Sequence, residues 1–139
     1  LMAVPKIWRK IPEYYNLIGK LCPECNAKFF PKRTVCKNCG CTRMQDYKFE
    51  GKGKIVTYTI IRTSMSDPEQ EINEQAARNI PYALAIIKLK EGPMLTAQII
   101  DCGDSELNIG KKVKKVFRKI LENGPSGVIQ YGYKFKIDK

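Results

Sequence analysis

The chain has 139 residues, 43% of them hydrophobic and 28% charged, with 25 Lys and Arg against 14 Asp and Glu for a formal charge of +11. That length fits one or two small domains with a globular balance, and no apolar run approaches the ~20 residues of a membrane-spanning helix. There is no histidine, which removes the commonest general base near neutral pH and every Ser-His or Cys-His arrangement. The basic excess fits an anionic partner (nucleic acid, a phosphate ligand or an acidic protein surface) or merely a solvated, Lys-rich exterior; charge alone does not choose. The start, Leu1-Met2-Ala3-Val4-Pro5, is too short and broken for a signal peptide, so a cytoplasmic location is expected.

Residues 4–20 read as a helical arm, with Trp8, Ile11, Tyr15 and Ile18 at helical spacing. Pro12 breaks the pattern and opens a second short helix, which Gly19 is placed to end. Residues 21–50 hold five of the six cysteines, and Gly51-Lys52-Gly53 marks a junction to a third region, 51–139. There, 54–63, 82–90 and 94–101 are β-like, the last two flanking the turn signal Glu91-Gly92-Pro93. Asp67-Pro68 followed by Glu69 and Glu71 has the cap, proline and acids of a helix start. Asp101 and Asp104 sit by Gly103 and read as a turn. In 128–137, Ile129, Tyr131, Tyr133, Phe135 and Ile137 share one strand face and Gln130, Lys134 and Lys136 the other. Residues 112–121 are in conflict: Val113, Val116, Phe117, Ile120 and Leu121 have helical periodicity, yet Val113 and Phe117 also share a strand face with Lys115 and Lys119.

The chemistry-bearing motif is Cys22-Pro-Glu-Cys25, ten residues, then Cys36-Lys-Asn-Cys39-Gly40. Each C-x2-C turn places two thiolates on one side, and two such turns close a tetrahedron around zinc. Gly40 and Asn26 follow the two pairs, where positive φ is needed. Iron uses the same tetrathiolate geometry, so the metal is zinc or iron, with zinc expected. Four thiolates leave no place for water, so the site is structural. Cys41 is a spare thiol, or the motif is displaced by two residues; the paired C-x2-C geometry favours Cys39. Cys102 reads as a small buried apolar residue.

The layout Trp8-Arg9, Pro12, Tyr15, Leu17-Ile18-Gly19, Cys22-x2-Cys25, Phe30-Pro31-x-Arg33, Cys36-x2-Cys39, with Pro81-Tyr82-Ala83-Leu84-Ala85 later, resembles the zinc-ribbon/OB-fold family associated with acyl-CoA enzymes. The resemblance implies a mainly β chain: a helical arm, a rubredoxin-like zinc ribbon and a five-stranded OB-fold barrel. It tips 112–119 toward strand and makes 66–80 an insertion between the first two barrel strands. It also implies a non-catalytic scaffold that, in archaea, bridges acetoacetyl-CoA thiolase and hydroxymethylglutaryl-CoA synthase and contributes to acyl-CoA binding and channelling.

Three functions compete. For an acyl-CoA scaffold, Phe29, Phe30, Arg33, Arg62 and Arg118 are the candidates for stacking on adenine or holding phosphates, although Phe29 and Phe30 also suit a ribbon–barrel junction. For a single-stranded nucleic-acid binder, Lys111, Lys112, Lys114, Lys115, Arg118 and Lys119 would track phosphates. Against that reading, the aromatics of 128–137 lie on the face opposite its lysines and look like barrel core. An enzyme lacks a histidine, an open metal position and any phosphate loop or nucleophile motif.

Overall fold

The computed structural model describes residues 4–63, 80–122 and 124–138. The helix start at Asp67 lies outside them, as does all of the expected insertion except Ile80. Two short helices, α1 (Val4–Arg9) and α2 (Ile11–Asn16), lead into a three-stranded antiparallel sheet of β1 (Ile18–Leu21), β2 (Lys28–Phe29) and β3 (Gln45–Lys48), ordered β2-β1-β3. Five further strands follow: β4 (Lys52–Ile61), β5 (Tyr82–Leu89), β6 (Met94–Ile100), β7 (Lys112–Glu122) and β8 (Ile129–Ile137). They close a barrel in the order β4-β5-β6-β8-β7, with β7 returning to β4. The strands pair antiparallel except β6 and β8, which run parallel and touch only at Ile99↔Phe135 and Ile100↔Lys136. This is the five-stranded Greek-key barrel of an OB-fold. Among the described residues no helix is long and apolar enough to cross a membrane.

Alternation builds the barrel. Ala83, Ala85, Ile87 and Leu89 of β5 and Leu95, Ala97 and Ile99 of β6 point inward and are buried, while Ile86 and Lys88 point out. The inward alanines let facing strands approach across a narrow interior, which Ile55, Val113 and Phe135 fill. Leu17 and Phe49 join the same core from the β1–β3 side and tie the small sheet to the barrel.

Helical periodicity misleads at 112–121. This segment is β7, paired antiparallel with β8 from Val113↔Ile137 to Glu122↔Ile129. Apolar residues occupy both strand faces because both have cover in places, and a two-sided strand counts like a helix. Val113 is buried in the barrel, Phe117 packs edge-on against Tyr15 of α2 at 5.1 Å, and Ile120 lies over Gly132 of β8.

The aromatic face of β8 divides in the same way. Phe135 and Ile137 reach the core, but Tyr131 stacks on Phe117 at 5.4 Å beneath Tyr15, and Ile129 is exposed. The β7–β8 hairpin outruns the barrel, so one strand face changes from core to a seat for the arm.

Gly19 does not end a helix. Leu17 takes the left-handed cap (φ 54, ψ 48) with its side chain fully buried, and Gly19 lies within β1. A Cβ on Gly19 would stand 2.2 Å from the Phe29 carbonyl oxygen and 2.6 Å from the Phe49 ring. Close approach, not conformational freedom, selects glycine there. Cys102 also departs from expectation: it lies just past β6 and is half-buried rather than enclosed. Burial and the nearby carboxylates of Glu106, Asp104 and Asp101 push its thiol up.

Candidate metal centre and the surfaces around it

Two loops of the same construction carry the cysteines. In the first, Cys22 closes β1, its N–H donates to the Ala27 carbonyl at 2.9 Å, and its carbonyl accepts from Asn26 N–H at 3.0 Å. In the second, Cys36 N–H donates to the Cys41 carbonyl at 2.9 Å, and its carbonyl accepts from Gly40 N–H at 3.1 Å. Asn26 and Gly40 close these turns at φ 56 and 73. Nothing lies within 4 Å of where a Gly40 Cβ would be, so positive φ alone favours glycine there.

The Sγ atoms of Cys22, Cys25, Cys36 and Cys39 all lie within 4.8 Å of one another. Cys22 and Cys39 are 3.4 Å apart and Cys25 and Cys36 3.5 Å, too far for disulfides. A tetrahedral site with Zn–S bonds of about 2.3 Å has sulfur–sulfur edges of roughly 3.8 Å, so this cluster needs little movement to hold such an ion. The donor set fits as well. The Cys25 N–H aimed at Cys22 lowers that thiol to about 6, and the Cys39 N–H lowers Cys36. Although the Cys41 N–H favours a Cys39 thiolate, the hydrogen bond with Cys22 pushes Cys39 up to about 12. Without a metal the quartet therefore shares protons, and a dication replaces them with a single counter-charge.

Cys22 and Cys36 are buried, while Cys25 and Cys39 reach the surface. Cys41 is not among the four convergent sulfurs; its buried Sγ accepts the Arg43 N–H at 3.4 Å. The Arg43 guanidinium also joins the two loops by donating to Glu24 at 3.1 Å.

The five candidate ligand residues separate into two groups. Phe29 packs against the cysteine cluster, with the Arg33 guanidinium 6.0 Å from its ring centroid. Phe30 lies edge-on between Phe49 and Tyr133, each at 6.0 Å, and so fills the seam between small sheet and barrel. Arg62 and Arg118 belong to the barrel instead: Arg62 donates to Asp104 at 2.7 Å, and Arg118 lies 3.9 Å from Asp101.

Residues 47–118 match the family model of the ChsH2 C-terminal OB-fold domain. Over 132 residues, 94% of this chain and 93% of the relative, the sequence is 43% identical to a DUF35 domain-containing scaffold protein of Methanothermobacter thermautotrophicus. The chain belongs to the DUF35 scaffold-protein family. A second such scaffold protein, from Methanocaldococcus jannaschii, is 42% identical over 96% of this chain and 89% of its own length. Among solved structures, the Ltp2-ChsH2(DUF35) aldolase superposes with a TM-score of 0.69 over 99% of this chain and 96% of that one; at 20% identity it shows the shared fold. The family role is that of a non-catalytic scaffold.

Sequence reasoning missed one feature of this DUF35 protein. Where β6 and β8 part, a groove of about 1110 Å³ opens, lined among others by Tyr14, Gln98, Cys102, Lys119, Tyr133 and Lys134. Burial pushes Tyr133 up to about 12 and Lys134 down. No local motif marks such a groove, because it arises from two strands diverging after a short parallel contact.

Proposed function

We propose that this DUF35 protein is a scaffold that bridges acetoacetyl-CoA thiolase and hydroxymethylglutaryl-CoA synthase, so that an acyl-CoA intermediate passes between them. The observation that carries the reading is identity above 40% over nearly the whole length to proteins named as scaffolds. The likeness to a DUF35 chain named together with an aldolase supports an enzyme as partner, and the N-terminal motif resemblance supports this pair. The cysteine quartet holds zinc, which cross-links the two loops and offers no open position for catalysis. Phe29, Phe30 and Arg33 on the small sheet, and Arg62 and Arg118 at the barrel, serve as contacts for CoA or for the enzymes that hold it. The three regions 1–20, 21–50 and 51–139 act as arm, ribbon and barrel, and the complex works in the cytoplasm.

Single-stranded nucleic-acid binding is the weaker reading. An OB-fold platform needs open aromatic faces beside basic groups, and Tyr131 and Phe117 stack on each other under Tyr15.

The test mixes the purified chain with both enzymes and separates the products by size exclusion with light scattering. One species containing all three proteins, in which coupled turnover of acetyl-CoA leaks less free acetoacetyl-CoA than the two enzymes without the chain, is the expected result. Elution of the chain alone from both enzymes would sink the proposal.

A further inference from the structure

The barrel carries lysines in an order the sequence does not show. Lys54 of β4 is in register with Lys88 of β5 on one side and Lys112 of β7 on the other. One step along, Lys114 of β7 is in register with Lys52 of β4 and Lys136 of β8. All six alternate with inward residues such as Ile55, Ile87, Val113 and Ile137, so both rows stand on the outer face of the barrel. Neighbouring strands are about 4.8 Å apart, which makes each row a line of ammonium groups across three strands.

Like charges directly opposite each other across strands are destabilising, so such rows are not the default of a solvated surface. Protection of a sheet edge does not account for them either. Lys112 and Lys114 sit where β7 is paired on both sides, with β4 and with β8, and a closed barrel has no edge to guard there. Close ion pairs form only in the second row among the described residues: Glu50 pairs with Lys52, and Asp138 with Lys114 at 2.9 Å, while Lys112 feels the Asp138 carboxylate from farther off. Lys54, Lys88 and Lys112 are exposed and have no ion-pair partner among the described residues. Apolar side chains adjoin them. Met94, in register with Lys88, is 56% exposed, and Val56 and Ile86 are also exposed.

We infer that this face is a docking surface for an acidic patch on one of the two enzyme partners, with Lys54, Lys88 and Lys112 as its charged centre and Met94, Ile86 and Val56 as its apolar margin. The assignment rests on the scaffold reading above and adds where one enzyme binds. A protein surface is favoured over nucleic acid by what stands beside the lysines: the exposed aliphatic side chains of Met94, Ile86 and Val56. Complementary charge of this kind acts mainly on encounter rate and salt dependence.

The test uses the full-length protein with Lys54, Lys88 and Lys112 all changed to Gln, and separately all changed to Glu. Affinity for the purified thiolase and for the purified synthase is measured across a salt series, alongside affinity for a single-stranded oligonucleotide. The Gln variant is expected to bind one enzyme about tenfold more weakly at low salt with a flatter salt dependence, and the Glu variant more weakly still. Its melting temperature should not fall, since like-charge repulsion has been removed. Undiminished binding of both enzymes by both variants would overturn the docking surface while leaving the scaffold intact. So would loss of oligonucleotide binding alone, which would give the face to nucleic acid. Wild-type protein that binds neither enzyme would instead remove the scaffold reading on which the surface depends.

Discussion

At the residue scale the four sulfurs and one partly buried phenol make the sharpest predictions. Cys22, Cys25, Cys36 and Cys39 converge while Cys41 turns its sulfur to the Arg43 N–H. Cys25→Ser should therefore reduce bound metal, measured by elemental analysis of the purified chain, from one ion to a small fraction. Cys41→Ser should retain the ion, and the same measurement identifies it as zinc or iron. Tyr133 is largely enclosed between Tyr14, Phe30 and Phe135. Burial disfavours its phenolate and raises it from 10.0 to about 12. The folded state thus holds this proton more tightly than the unfolded state. Its contribution to stability is complete below about pH 10 and is lost as pH rises toward about 12. An ultraviolet titration of the seven tyrosines should show a late step that Tyr133→Phe abolishes. If every tyrosine titrates near 10 in the folded protein, Tyr133 is not enclosed.

At the scale of elements, two seams hold the small sheet and the arm to the barrel. At Gly19, β1 passes so close to Phe29 and Phe49 that an added methyl overlaps both. Gly19→Ala should cost about 1–3 kcal/mol in urea unfolding through forced displacement of β2. A stability equal to that of the wild type would show that the seam is looser than drawn. The arm is held differently, by Tyr14 against Tyr133 and Tyr15 against Phe117 and Tyr131. Aromatic pairs contribute roughly 0.5–1.5 kcal/mol beyond their buried area. Tyr15→Ala should therefore speed amide hydrogen exchange in 11–16 and leave β5 and β6 unchanged; uniform exchange across the chain would count against a separately docked arm. The strand β7 shows why patterning failed locally: its two faces meet different neighbours, and periodicity assumes one buried side.

At the scale of the molecule, the small sheet and the barrel have different sources of stability. The barrel encloses a core of aliphatic and aromatic side chains, whereas the region around the cysteines buries little besides Cys22, Cys36 and Cys41. Metal binding is then folding energy for that region. Stripping the ion with a strong chelator should remove exchange protection from the cysteine loops and β1–β3, while β4–β8 keep theirs. Full protection of the loops after the metal has gone would show that they fold without it.

The sequence by itself determined what depends on short spacing and local chemistry. The two C-x2-C pairs, with Asn26 and Gly40 after them, specify a metal-binding turn within a few residues, and the alternation of β5 and β6 specifies strands with one buried face. Tertiary structure alone decided what depends on distant segments meeting. Whether Val113 and Phe117 lie on a helix or a strand follows from β8 and the arm. The need for glycine at position 19 follows from a carbonyl ten residues away. The alignment of Lys54, Lys88 and Lys112 follows from strand register, which the barrel fixes by burying one side chain in two.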